Sequence, residues 1–251
     1  MKTAWLITGK ESGQMLLSQR GLLWLLAYSG LLSAFSLLLV SNTELSLLNN
    51  AQVVYMMTGT VTAVGALIAA ILGSDAYAGE RERGTLIPLL CSPVTGDTLL
   101  KGKALGLLLA WAIMILMAIP YLWAVGADGQ NLPSALAYLA LFGTPVVLGF
   151  GYLAMAVSAR TGSVMVSLLT TVTLLILAAS PLLIGPGLRG TAIGRALDAV
   201  NPVAGALNTF DAVIIDSESF SRQLPRFFLV AAWLVVSFLL ARRSAAKPRF
   251  Q

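Results

Sequence analysis

Histidine is absent from the 251 residues, cysteine occurs once, and only 11% of the chain is charged. Without histidine, Ser–His catalysis and His-ligated zinc are excluded, and the commonest general base is missing. Cys91 alone cannot close an internal disulfide. No G-x-x-x-x-G-K-[ST] run occurs, so the chain lacks the loop that cradles nucleotide phosphates. The eight methionines are scattered and form no copper-binding cluster. An ordinary soluble domain is about 25% charged. A chain that is 57% hydrophobic could not hide its apolar surface in a water-soluble fold of this size.

What is present is a series of long apolar runs. A spanning helix needs about 20 such residues, and six runs qualify: 21–41, 52–74, 104–126, 134–157, 163–185 and 225–241. The first five carry no charge, and the sixth carries only Arg226 at its edge. The expected fold class is therefore an all-α integral membrane bundle of six spans over residues 21–241. A short lead, 1–20, precedes it and a basic tail, 242–251, follows it. The first run is too long for a signal-peptide core and no convincing cleavage site follows it, so it reads as a retained signal anchor. In the lead, Trp5, Leu6, Leu16 and Leu17 can share a helical face, but Gly9 and Gly13 weaken a helix. An interfacial helix and an irregular tail both stay open.

Cations near span ends set orientation. Lys2, Lys10, Arg20, Arg81, Arg83, Lys101, Lys103, Arg160, Arg242, Arg243, Lys247 and Arg249 fall on the side of the two termini, 12 of the 16 Lys and Arg. Arg189, Arg195, Arg222 and Arg226 fall on the other. Both termini are expected in the cytoplasm, with the protein in the cell's inner (plasma) membrane. The net charge of +5 is then mainly a topology signal, and no nucleic-acid partner is implied.

The spans hold no acid of the kind ion-coupled carriers place near the midplane. They offer hydroxyls: Thr58, Thr60 and Thr62 on the second, Thr170, Thr171 and Thr173 on the fifth. Such groups mostly hydrogen-bond within their own helix or to a neighbour. Thr58, Thr62, Thr170 and Thr173 are nevertheless the candidates for lining a path. A path with no fixed charge suits a process driven from outside the membrane domain.

Two connections stand out. Between spans two and three lies Asp75-Ala-Tyr-Ala-Gly-Glu80-Arg81-Glu82-Arg83-Gly84-Thr85-Leu86-Ile87-Pro88-Leu89-Leu90-Cys91-Ser92-Pro93-Val94, then Leu99-Leu100-Lys101-Gly102-Lys103. Glu80 and Arg83 can pair at i,i+3. Leu86, Leu89 and Leu90 form a short apolar stripe, Ser92-Pro93 breaks the chain, and Thr95 or Asp97 can cap the helix that becomes span three. This reads as a short amphipathic helix under the bundle with its charges toward the cytoplasm, or as a solvated charged loop. Before the last span, 180–224 is broken by Pro181, Gly185-Pro186-Gly187 and Asn201-Pro202. Two short helices dipping into the outer leaflet satisfy its backbone better than a span would. A surface-lying loop is the alternative.

The loop pattern resembles that of ABC-2 type transporter permeases, E-x-E-x-G-T-L-x-x-L-L-x-x-P-V followed by L-L-x-G-K. Glu80, Glu82, Gly84, Thr85, Leu86, Leu89, Leu90, Pro93, Val94, Leu100, Gly102 and Lys103 match it, and the loop follows span two of six. Asp75-Ala and Asn201-Pro202 make the chain most similar to the compact six-span members that include the nitrous oxide reductase maturation permease. The resemblance implies a permease, expected to be an exporter, built as a dimer and driven by separate ATP-binding-cassette ATPase subunits. ATP and Mg would belong to those subunits, with no cofactor, metal or catalytic residue in this chain. Residues Glu80, Arg81, Glu82, Arg83, Gly84 and Thr85 would receive the ATPase motion, anchored by Leu86, Leu89 and Leu90. Spans two and five would line the path between protomers. The alternative is an autonomous channel or carrier. Neither reading names the cargo.

Overall fold

The computed structural model describes residues 9, 13, 18–41, 50–86, 95–126, 131–183, 191–215 and 218–246. Among them the fold is all-helical. The long helices are α1 (Gln19–Ser41), α2 (Asn50–Glu82), α3 (Gly96–Val125), α4 (Leu132–Ser158) and α5 (Val164–Leu183). Two short helices follow, α6 (Ala192–Val200) and α7 (Pro202–Phe210), then a π turn (Asp211–Ile215), a 3-10 turn (Phe220–Gln223) and α8 (Leu224–Ala245).

Five helical stretches are long and apolar enough to cross a membrane: Gly21–Ser41, Asn50–Glu82, Gly96–Val125, Leu132–Ser158 and Phe220–Ala245. The remaining expected span coincides with α5, whose described apolar stretch, Val164–Ser180, is shorter. The lead has only residues 9, 13 and 18–20 within the described part, and Lys247–Gln251 of the tail lie outside it. Residues 242–245 form the last turn of α8.

Local side-chain chemistry sets two of the helix starts. Thr95 caps α3, its side chain accepting from the Thr98 amide at 3.3 Å. Asn201 caps α7 through the Val203 and Ala204 amides at 2.9 and 3.1 Å, with Pro202 next in line. The Asn201-Pro202 break thus separates two short helices, as expected. α7 is tied back to α5, because the Asn201 side-chain amide donates to the Ala178 carbonyl at 2.6 Å.

The interior is organised around α2 and α4. Their backbones approach at Gly73, where a Cβ would come within 2.7 Å of Ala154 Cβ. Ser158 of α4 reaches into α2. Its hydroxyl donates to the Ser74 carbonyl at 2.6 Å and accepts from the Tyr77 and Ala78 amides at 3.1 and 2.8 Å. A side chain inserted into a helix ladder is a recognised cause of bending.

α4 contains its own irregularity. Pro145 lacks an amide hydrogen, and its ring crowds the preceding turn. The π turn Leu139–Gly143 lies directly before Thr144-Pro145, and the Thr144 hydroxyl donates to the Leu139 carbonyl at 2.9 Å. Trp111 Nε1 of α3 donates to the same hydroxyl at 2.9 Å.

Candidate functional site

At 1.5 Å per residue, the 33 residues of α2 extend about 50 Å, against a hydrocarbon core of about 30 Å. The helix must therefore project beyond the membrane. The projecting turns hold the charged stretch of the sequence. Glu80, Arg81 and Glu82 are the last turn of α2 itself, not part of a separate loop helix. α2 ends in a Schellman motif: the Thr85 amide donates to the Glu80 carbonyl and the Gly84 amide to the Arg81 carbonyl, at 2.9 and 3.0 Å. Gly84 takes φ +71°, the left-handed conformation this motif requires. Leu86 is buried beyond the turn, while Leu89 and Leu90 lie outside the described residues.

The four consecutive charges do not form a solvated row. Glu80 is only 4% exposed, and its carboxylate faces the Lys103 ammonium of α3 at 3.7 Å; Lys103 is 1% exposed. The expectation that this carboxylate points to the cytoplasm is corrected. Burying it costs less than burying it alone, because the cation is buried beside it. The Thr85 hydroxyl donates to the same carboxylate, and the Lys103 ammonium also stands 5.8 Å from the Tyr77 ring centroid.

Arg81 reaches the turn between α4 and α5, where its guanidinium donates to the Thr161 carbonyl and, at 3.5 Å, to the Ala159 carbonyl. Carbonyls at a helix C-terminus are orphaned acceptors, so a cation is well placed there. Glu82 does the complementary thing at the start of α5, accepting from the Val164 amide at 2.8 Å. Arg83 folds back along α2 onto Asp75 with two contacts of 3.2 and 3.1 Å. Gly79 leaves room for this bridge, since a Cβ there would overlap the Asp75 carboxylate. One helix end thus binds α3, the end of α4 and the start of α5. A second tie lies nearby: Asp97 pairs with Lys101 at 2.6 Å and with Arg242 of α8 at 3.0 Å. The hydrogen bond from Lys101, then the charges of Lys101 and Arg242, hold the Asp97 carboxyl below its ordinary pKa.

The threonines divide. Thr58 is fully buried and its hydroxyl bonds the Val54 carbonyl at 2.7 Å; Thr62 is buried and bonds the Thr58 carbonyl at 2.9 Å. Thr170 is exposed, bonding the Val166 carbonyl at 2.8 Å, and Thr173 is exposed. Thr58 therefore faces no open surface of the protomer. Thr62 borders a cavity of about 410 Å³ between α2, α4, α5 and α7.

The model of the ABC-2 family transporter proteins matches residues 60–244. The chain belongs to the ABC-2 transporter family. The matched stretch runs from α2 to the end of α8 and includes the whole charged hub. Comparison with curated proteins gives no match. As a family member the chain is a multi-pass membrane permease of an ABC transporter. Lys103, the last residue of the L-L-x-G-K pattern, is the hub residue that sequence reasoning failed to assign a role. Its charge just ahead of an apolar run was the available signal.

Proposed function

We propose that this permease is an exporter subunit that works as a dimer, with separate ATPase subunits docked at the Glu80 end of the bundle. α5 completes a set of six spans: its 20 residues extend about 30 Å, enough for the hydrocarbon core. The cation bias supports an orientation with the Glu80 end and both termini in the cytoplasm and the protein in a cell's inner membrane. The α6–α7 pair then enters the outer leaflet.

The observation that carries the reading is the hub at residues 80–85. A docked ATPase would touch its exposed members, Glu82, Arg83, Gly84 and Thr85. Glu80 and Arg81 act behind them as struts to α3 and to the α4–α5 turn. Displacing the turn would move three spans at once, and the Ser158 hydroxyl inside α2 marks where that helix can bend. The path would run between α2 and α5 of the two protomers. Of the small residues suited to close helix approach in α2, Ala63 faces outward, whereas Gly65 already receives Trp111 and Ala66 is buried. The dimer contact therefore centres on Ala63 and the exposed side of α5. ATP and Mg belong to the ATPase subunit.

Co-purification tests this. The tagged chain should bring down an ATP-binding-cassette ATPase, and disulfides between α2 and α5 of two copies should form through Ala63→Cys and Ile176→Cys, which border the same cavity and so lie at one depth. A monomer that transports without an ATPase would refute it.

A further inference from the structure

We propose that Arg160, in the turn between α4 and α5, is the electrostatic anchor of the docked ATPase and pairs with a carboxylate on that subunit. The inference rests on the exporter reading and names the chemistry of the partner surface.

The charges at the Glu80 end decide which residue can serve. The acids of this end among the described residues are Asp75, Glu80, Glu82 and Asp97, and each already has a partner inside the chain. Asp75 holds Arg83, Glu80 faces Lys103, Glu82 accepts from the Val164 amide, and Asp97 holds Lys101 and Arg242. Arg81 is engaged by the Thr161 and Ala159 carbonyls. Two guanidinium groups remain without a hydrogen bond or ion pair among the described residues, Arg160 and Arg243, and both are exposed. The charge this end offers to a partner is therefore positive, and the surface that complements it is acidic.

The two arginines differ in what lies behind them. Arg243 stands one turn beyond Leu239 and Leu240 and two turns beyond Val236, all exposed on α8. It continues an apolar strip of the kind that faces lipid, where an arginine reaches headgroups. Arg160 instead ends a helix encased in protein. No residue in 142–159 is exposed, and α4 packs against α2, α5 and α8. Its last turn opens beneath the bundle, away from the bilayer.

The turn is also fixed in place. The Arg160 and Thr161 amides both donate to the Val157 carbonyl at 2.9 Å, and Arg81 clamps the carbonyls on either side of Arg160. A free guanidinium on a fixed turn is preorganised for a carboxylate, which it can take with two parallel hydrogen bonds. Arg160 adjoins the hub, because Arg81 and Glu82 hold the turn and the start of α5. A pull on Arg160 thus reaches α2 through Arg81 and α5 through Val164.

The test takes the full chain in nanodiscs and the ATPase subunit that the wild-type chain brings down. Arg160→Ala should weaken binding about 2- to 5-fold, the worth of an exposed ion pair. Arg160→Glu should weaken it about 10-fold or more, since like charges then meet across the interface. Raising salt from about 0.1 M to about 1 M, which shortens the Debye length from about 10 Å to about 3 Å, should erase the difference between wild type and Arg160→Ala. Arg160→Lys keeps the charge and should retain most of the binding. Treated with a zero-length carbodiimide, it should form an amide to an Asp or Glu of the ATPase, which decides the matter even where the reversal disturbs folding. Exchanging that acid for lysine should restore binding to Arg160→Glu. Arg243→Glu should leave binding unchanged. Full binding by Arg160→Glu, a crosslink confined to this chain's own carboxylates, or an equal loss from Arg243→Glu overturns the proposal, the last pointing to anionic lipid. An ATPase that binds Arg160→Glu as well as wild type sinks only this inference. A wild-type chain that brings down no ATPase sinks the exporter reading and this inference with it.

Discussion

Removing the charge of Lys103 should be among the most damaging single changes at the projecting end of the bundle. At 3.7 Å and an effective dielectric constant of about 20, the Glu80–Lys103 attraction is about 4–5 kcal/mol before desolvation is subtracted. Both groups are buried, so their net benefit relative to an apolar pair is small, while breaking the pair leaves a buried carboxylate without its cation. Lys103→Met should therefore destabilise the protein by about 3–5 kcal/mol. Adding Glu80→Gln to Lys103→Met should recover most of that loss. The assay is reversible unfolding in mixed detergent micelles, read as a double-mutant cycle whose coupling is at least the stability that the second substitution recovers. A loss below about 1 kcal/mol for Lys103→Met, the range of an exposed pair, would refute the buried-strut argument.

Other outcomes follow from the same geometry. Gly84→Leu should cost about 1–2 kcal/mol, the penalty for placing an L side chain in the left-handed region, and should weaken ATPase binding while membrane insertion is retained. Reversing both acids, Glu80→Lys with Glu82→Lys, should abolish transport; because Glu80 is buried, Glu82→Lys alone is the cleaner probe of docking, with reversal at Asp128 as control. The Asp97 carboxyl titrates below its ordinary value in the native protein. Its pairing thus contributes stability above the ordinary Asp pKa and loses it as pH falls through the lowered native value. Thermal stability of Asp97→Asn should accordingly change less than wild type on acidification through that window. With Cys91 replaced, Asp128→Cys should react with an impermeant reagent from outside the cell and Arg160→Cys should not; the reverse pattern would invert the topology.

The helices were legible in the sequence because apolar runs about 20 residues long announce themselves without tertiary information. The Thr95 cap and the Asn201-Pro202 break were legible for the same reason: each is a local hydrogen-bonding choice. The fate of the charged stretch was not. Glu80, Arg81, Glu82 and Arg83 look like a solvated row when read along the chain; the burial of Glu80 and the partners of all four come from Lys103, the Ala159–Thr161 turn, Val164 and Asp75. All but Asp75 belong to other helices or their ends. The π turn at Leu139–Gly143 was also missed, although Thr144-Pro145 inside an apolar run was a cue. Thr58 and Thr62, candidates for lining a path, hydrogen-bond within α2 as hydroxyls in membrane helices mostly do, and only the packing of α4, α5 and α7 against α2 shows that Thr62 also borders a cavity.

In the proposed function this permease works through an ATPase docked at residues 82–85. The most direct measurement is ATP-dependent transport by the chain reconstituted in liposomes with and without the co-purified ATPase subunit. The expected result is transport only when the subunit and Mg-ATP are both present on the Glu80 side, and no ATP hydrolysis by the chain alone. Undiminished transport by the chain alone would contradict the account and establish an autonomous channel or carrier.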